Sequence, residues 1–158
     1  MTESSELPEL PHGYNFRPVE KSDYSNLYIE TLKVLTTVGD ISAENFDEVY
    51  NHWLSLPDIY KPHVITNAEG VVVATGMLLV EKKVIHLCGK VGHIEDIAVA
   101  NTEQGKNLGR AMITRLTDIA KTIGCYKVIL DCSPHNVGFY EKCGYSKAGL
   151  EMCTRFKQ

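Results

Sequence analysis

A chain of 158 residues is long enough to close one domain around a real core. With 44% apolar and 23% charged residues it is ordinary globular material, neither disordered nor fibrous. A net charge of −4 gives no whole-molecule field favouring nucleic acid or anionic membrane, so any phosphate must be held by a local cluster of positive groups.

The first stretch, MTESSELPELP, is acidic and has no apolar signal core. It reads as a loose tail over residues 1–12, ahead of one domain over 13–158, and a cytoplasmic address is the default. Apolar runs such as VVVA and MLLV are far too short to span a membrane. GYNFR predicts a first strand. Ser22 then offers an N-cap to a helix carrying Tyr24, Leu27, Tyr28, Thr31, Leu32 and Leu35 at helical spacing. Ser42 caps a second helix, with Ile41 and Phe46 placed as a hydrophobic staple. PHVITN, the turn NAEG and VVVATGMLLVEKK form a strand hairpin, and KVGHIEDIAVA a further strand. LGRAMITRLTDIAKTIG is the strongest helix, with Leu108, Met112, Leu116, Ile119 and Ile123 on one stripe and Gly124 ending it. YKVILDC predicts a buried central strand. Ser133-Pro134 fits an N-cap and first turn for a short helix that stops at Gly144. YSKAGLEMCTRF supplies the last strand or strands. The order β-α-α-β-β-β-α-β-α-β describes one α/β domain with a mixed sheet.

Five cysteines (Cys88, Cys125, Cys132, Cys143, Cys153) are an odd, scattered set without a C-x-x-C pair. That argues against a disulfide frame and a zinc site, and predicts reduced, mostly buried thiols. The six histidines show no metal-ligand spacing either.

Residues 103–110 read EQGKNLGR, between a strand and the strongest helix. The spacing fits neither the Gly-Lys-Ser/Thr loop nor G-x-G-x-x-G. Successive N–H groups in such a turn form a concave nest, and the helix start adds a positive dipole end. The arrangement suits a pyrophosphate without a metal, and Arg110 can add charge from the first helical turn. A plain glycine-containing turn has the same spacing, so the loop alone leaves both readings open.

The loop is similar to the pattern Q/R-x-x-G-x-G/A of the GCN5-related N-acetyltransferase (GNAT) superfamily through Gln104 and Gly109. Asn107 stands where the first glycine is usual, and asparagine tolerates left-handed backbone angles. ETLKVLTTVGDIS, EKKVIH, GHIEDIAV, GCYKVILDC, NVGFYEKCGY and GLEMCTR resemble, in that order, the glucosamine 6-phosphate N-acetyltransferase family, over roughly residues 13 to 156. The resemblance implies a sheet splayed at an acetyl-CoA site. It implies direct acetyl transfer from acetyl-CoA to the 2-amine of glucosamine 6-phosphate, on the route to UDP-N-acetylglucosamine, and a homodimer whose sugar site is shared between subunits.

It also implies roles by position. Acetyl-CoA would lie against Ile97, Ala98, Val99, Gln104, Gly105, Lys106, Asn107, Leu108, Gly109, Arg110, Asn136 and Tyr140. The sugar phosphate would meet Thr36, Lys83, Val84, Ile85, His86, Glu95, Asp96, Ile97, Tyr126, Lys127, Asp131 and Arg155. Glu95, Asp96 and Asp131 would contact or orient the amine, a backbone N–H near Ile97 and Ala98 would polarise the carbonyl, and Tyr140 would protonate the leaving sulfur.

The residues bear on this independently. Glu95 and Asp96 are adjacent on a strand, so they face opposite sides unless a bulge splays it; otherwise one is a solvated edge charge. Asp131 ends an apolar strand, where a carboxylate is either functional or an N-cap. Tyr140 follows Asn136 by four residues on one helix face, and its hydroxyl favours a lined pocket, whereas Phe139 reads as core. Any single lysine is more commonly a solvated charge; Arg155, with its bidentate fork, is the best phosphate anchor. Three other readings compete. Cys143 could be an acetyl-accepting nucleophile, but no motif supplies its base. A non-catalytic acetyl-CoA-binding module would lack the acids, the tyrosine and the basic groups. An enzyme acting on a protein amine would not need the basic cluster.

Overall fold

The alternation of apolar residues between positions 60 and 99 builds the middle of a five-stranded sheet. The computed structural model describes residues 6–158. Its strands are β1 (Asn15–Pro18), β2 (Tyr60–Thr66), β3 (Val72–Lys82), β4 (Lys90–Val99) and β5 (Cys125–Ile129), in the spatial order β1-β2-β3-β4-β5. Neighbours from β1 to β4 are antiparallel, whereas β4 and β5 are parallel. A parallel pair needs a long crossover, and helix α4 (Leu108–Thr122) supplies it.

Because neighbouring strand residues face opposite sides, Val64 and Ile65, or Val72 and Val73, serve two different cores. On one face Ile65, Val73, Leu78 and Ile94 meet the α4 stripe of Leu108, Met112 and Leu116, with Ile119 and Ile123 partly buried at its edge. On the other, Val64 and Val72 meet Tyr28 of α1 (Tyr28–Leu32) and Phe46 of α2 (Ala43–Ser55). Fully burying a leucine such as Leu116 stabilises by about 1.5–3 kcal/mol, and truncating it to alanine costs about 2–5 kcal/mol.

Several expectations hold in detail. The Ser42 hydroxyl accepts from the Asn45 N–H at 3.1 Å and the Asn45 side chain caps the Ser42 N–H in return, while Ile41 packs in the same cluster as Phe46. Gly124 ends α4 with φ of +91°. Residues 6–12, expected to belong to a loose tail, are instead docked, because Arg115 donates to the Pro8 carbonyl at 2.8 Å and Leu10 packs on the core. The remainder of the expected tail, residues 1–5, lies outside the described residues.

Other expectations are corrected. The single helix predicted after Ser22 is two pieces, a 3₁₀ turn (Lys21–Ser25) and α1, because Leu27 adopts a left-handed conformation. The cap position is Glu20 rather than Ser22, and its N–H donates to the fully buried Asp23, which also accepts from both arms of Arg17 at 2.8 Å. Ser133 forms no side-chain cap; the 3₁₀ turn Pro134–Asn136 and helix α5 (Val137–Lys142) start on backbone bonds alone. β5 is not a buried central strand but the sheet's outer edge, with half-exposed side chains. Residues 145–158 form no strand, since a strand needs a neighbour for its ladder and none is present. Phe139 is exposed rather than core. The cysteines are all free as expected, but none is buried: Cys88, Cys132 and Cys153 are exposed, and Cys125 and Cys143 half-buried.

Candidate active site

Strand β4 parts from both of its neighbours at one place. Toward β3, Glu95 stands opposite Met77 and Ala98 opposite Thr75, so Asp96 and Ile97 share the space across from Gly76. This is a β-bulge, and Asp96 takes it up with φ of +55°. Toward β5, the ladder runs only from Lys90–Cys125 to His93–Ile129. Beyond His93 the two parallel strands have no pairing, and a slot opens between them. The bulge resolves the difficulty with Glu95 and Asp96: both are exposed at the mouth of this opening.

The acids gather here. Although Glu95 is exposed, partial desolvation by its neighbours pushes its carboxyl above the ordinary range, and the negative charges of Asp96, Asp131 and Glu151 add to the shift while His93 opposes it. Asp131 sits just beyond β5 and lines a cavity of about 670 Å³ together with Lys127, Tyr140, Tyr145 and Glu151. Tyr140 on α5 is half-buried, with its ring edge-on to Phe139 at 5.0 Å and Tyr145 at 6.4 Å. Burial raises its hydroxyl pKa, with smaller contributions from Cys132, Cys143 and Tyr145, so it is protonated at neutral pH. Asn136 lies at the N-cap of the same helix.

The glycine loop has the geometry its sequence suggested. A 3₁₀ turn (Asn101–Glu103) leads through Gln104 and Gly105 (φ +85°) to Asn107, which is left-handed at φ +58° and caps α4. The α4 ladder opens with Ala111 N–H to the Asn107 carbonyl at 3.0 Å, which leaves the N–H groups of Leu108, Gly109 and Arg110 outside it, as at any helix start. Gly109 is tight for a second reason: a Cβ there would meet the Phe139 ring at 3.3 Å. Arg110 is exposed, whereas the Lys106 ammonium is held by Glu103 at 2.7 Å. Three free backbone donors, one arginine and the adjacent slot fit an extended thioester carrying a pyrophosphate.

The basic residues are only partly assembled. His86 stacks on Tyr126 at 4.1 Å between centroids, and Lys127 lies 5.9 Å from the same ring. The segment α3 (Ile85–Cys88) is a helical turn of left-handed sense, with His86, Leu87 and Cys88 at φ of +51° to +57°. Non-glycine residues rarely adopt such angles in succession. Lys83 pairs with Glu81 at 3.1 Å, and Glu81 also binds His93 at 3.0 Å. Thr36, in an exposed bend after α1, and Arg155, in the exposed C-terminal stretch, are not brought to this group within one chain. The sequence reading missed Glu81, His93 and Glu151. His93 was within reach, because it lies two residues before Glu95 and so belongs to the same strand face before the bulge.

The splayed strand, the helix-start nest and the tyrosine define an acetyltransferase of the GNAT type. A model of the acetyltransferase (GNAT) family matches residues 26–145. The chain is 69% identical over 147 residues to a glucosamine 6-phosphate N-acetyltransferase of Candida albicans, covering 93% of this chain and 99% of that protein. It is 42% identical to the Arabidopsis thaliana protein of the same name, over 93% and 99%. The crystal structure of glucosamine-6-phosphate N-acetyltransferase from Arabidopsis thaliana superposes with a TM-score of 0.89 at 41% identity, over 91% of this chain and 99% of that one. A Trypanosoma brucei acetyltransferase superposes at 0.84 with 30% identity, over 90% and 99%. The chain belongs to the GNAT family and, within it, to the glucosamine 6-phosphate N-acetyltransferases.

Proposed function

We propose that the chain transfers an acetyl group from acetyl-CoA to the 2-amine of glucosamine 6-phosphate, giving N-acetylglucosamine 6-phosphate and CoA. The observation that carries this reading is that Asp131 and Tyr140 line one cavity just beyond the parting of β4 and β5, while the charge of Asp131 acts on Glu95. The bound donor supplies the activated thioester. Everything else falls to the chain. The acids around Glu95 favour a cationic amine on arrival, and the raised Glu95 carboxyl is suited to accept its proton. Backbone N–H groups near Ile97 and Ala98, beside the bulge, are assigned to the developing oxyanion. Tyr140 holds the proton that the departing sulfur requires. Burial pushes the Cys143 thiol up, with Arg110 opposing, so it is a poor thiolate and direct transfer is favoured over an acetyl-cysteine route.

The sugar phosphate is assigned to Lys127, His86 and Arg155, with Thr36, Val84, Ile85 and Tyr126 around it, and the active form is a homodimer. Support comes from unpartnered apolar surface: Leu87 is fully exposed, and Leu150, Met152 and Phe156 are 91%, 89% and 84% exposed. A second copy could pair the free edge of β5, cover the Val84–Leu87 tip and bring Arg155 to a neighbouring pocket. The product then feeds UDP-N-acetylglucosamine synthesis. Among the described residues no helix is long and apolar enough to cross a membrane, and a cytoplasmic place of work suits these soluble substrates.

Thiol release from acetyl-CoA, measured with glucosamine 6-phosphate, glucosamine and a lysine peptide, tests the reading. Turnover is expected with the sugar phosphate; turnover with the peptide alone would replace the acceptor. Sedimentation tests the dimer, and a monomer under assay conditions would refute it.

A further inference from the structure

Tyr14, Glu103 and Lys106 close a three-way contact that the transfer chemistry does not use. The Tyr14 hydroxyl donates to Glu103 Oε2 at 2.6 Å. The Lys106 ammonium donates to the same oxygen at 2.7 Å and to the Tyr14 oxygen at 2.9 Å. Tyr14 stands just before β1, on the far side of the sheet order from β5, yet it reaches the loop that opens α4. Glu103 is buried, so its carboxylate is removed from water and depends on these two donors. Burial would push the carboxyl up, but the bonds from Lys106 and Tyr14 outweigh it and hold it below the usual range.

This contact bears on the neighbouring loop in two ways. Lys106 is the lysine of EQGKNLGR, and its charge is already committed to Glu103. It is therefore poorly placed to add net charge at a phosphate. Lys106 also lies between Gly105 and Asn107, both at positive φ, and no heavy atom lies within 4 Å of where a Gly105 Cβ would be. A glycine in open space has wide backbone freedom. The anchored side chain of Lys106 ties the middle of this stretch to the rest of the fold, between the Gln104 side-chain amide, which donates to the Val99 carbonyl at 3.4 Å, and the buried Leu108. Fixing it sets the direction of the Leu108, Gly109 and Arg110 N–H groups.

We propose that Glu103 and Tyr14 are positioning residues that clamp the loop through Lys106, so that Lys106 orders the backbone donors for the donor's pyrophosphate instead of supplying charge to it. The proposal rests on the reading that residues 104–110 hold that pyrophosphate. It makes affinity for the nucleotide end of the donor depend on residues that never touch it. Preorganised donors bind more tightly because less freedom is lost on binding.

The test uses Glu103→Gln, Tyr14→Phe and the double variant. Calorimetry gives the Kd for CoA, and steady-state kinetics compare acetyl-CoA with S-acetylpantetheine, which has the thioester but no pyrophosphate. Each single variant should weaken CoA roughly three- to tenfold, the effect of one lost or weakened hydrogen bond. The double variant should lose less than the product of the two, because the residues act as one unit. Turnover of S-acetylpantetheine should remain parental. Parental CoA affinity in both single variants overturns the clamp, as does an equal loss with both donors, which marks general damage to the fold. Gly109→Pro is measured alongside to separate the clamp from the site. Weakened CoA binding there beside parental Glu103→Gln removes the clamp alone. Parental binding in Gly109→Pro removes the phosphate site and the clamp with it.

Discussion

The Thr75 hydroxyl on β3 donates a hydrogen bond to the Asp96 carbonyl on β4 at 3.2 Å, across the register shift of the bulge. Thr75 is almost fully buried, and its bond holds the backbone of the residue that carries the positive φ. The turned strand, and with it the aim of Glu95 and of the N–H groups beyond, therefore depends in part on one hydroxyl.

Thr75→Val keeps the shape of the side chain and deletes that donor. Stability should fall by about 1 kcal/mol, the usual net value of one hydrogen bond, read from the urea midpoint. Turnover should fall by more than stability suggests, while the KM for acetyl-CoA stays near parental. An unchanged kcat would mean that the bulge keeps its geometry without Thr75.

The Glu95 carboxyl gives a pH signature. Partial desolvation first, then Asp96, Asp131 and Glu151, raise its pKa, so kcat/KM should rise with pH through a limb above the usual carboxylate range. Asp131→Asn removes one of the raising charges, and the limb should move to lower pH. The stability sign is opposite to that of a paired acid. A raised folded pKa means that the folded chain binds more protons, so stability declines as pH rises from the unfolded pKa through the folded one. Glu95→Gln should accordingly be no less stable than the parent at neutral pH, and far less active. A limb unmoved in Asp131→Asn would show that the two carboxyls do not communicate.

How far this site could be read from the chain alone depends on what each signal encodes. The stripe on α4 and the Ser42 cap were legible because spacing and capping are local, and both residues of the capping box lie within four positions. The left-handed Leu27 was invisible, since Tyr24 and Tyr28 keep their core spacing on either side of the break. The apolar residues of β5 and of the C-terminal stretch announced burial but not its source. Within one chain Ile129 and Phe156 stay exposed, so the predicted central strand became an edge. The acids Glu95 and Asp131 were legible as carboxylates in apolar strands, but the bulge that turns Glu95 and Asp96 out together depends on a register shift against Gly76, which no local pattern records.

The loop prediction needs a matched pair. Both Gly109→Pro and Gly109→Ala bring a Cβ to within 3.3 Å of the Phe139 ring, but only proline deletes the N–H. Proline is tolerated in a first helical turn, so α4 should still form. The KM for acetyl-CoA should rise about tenfold or more in the proline variant relative to the alanine one, for one charge-assisted bond lost. Equal KM values in the two variants would take the phosphates away from Gly109.

Arg155 tests the shared site. Arg155→Ala should raise the KM for glucosamine 6-phosphate roughly ten- to a hundredfold and leave acetyl-CoA near parental, as expected for losing a charged contact to phosphate. Mixing Arg155→Ala chains with inactive Asp131→Ala chains, after dissociation and reassociation, should restore part of the activity at sugar phosphate concentrations near the parental KM, where Arg155→Ala alone turns over little, if one pocket draws these residues from two chains. A parental KM for the sugar phosphate would remove Arg155 from the site.

Tyr140 is the residue whose chemistry and packing can be separated most cleanly. Its ring packs against the α4 core and meets Phe139 and Tyr145 edge-on, contacts that phenylalanine retains. Burial raises the hydroxyl pKa, so the proton is in place throughout the neutral range. As the carbon–sulfur bond breaks, negative charge grows on sulfur, and a nearby phenol lowers that barrier without altering how either substrate is first held. Tyr140→Phe should therefore lower kcat by roughly 100- to 10,000-fold, the usual range for a general acid. Both KM values should stay within a few-fold of parental, because the lost interaction forms mainly as the bond breaks. The melting temperature should stay close to the parent's, which separates this loss from a packing defect. A second observation sharpens the result: an acyl thioester with a more acidic leaving thiol needs less protonation, so the gap between variant and parent should narrow with such a donor. Near-parental kcat in Tyr140→Phe, or a gap that ignores the leaving group, would assign the proton to water or backbone and leave Tyr140 as part of the wall.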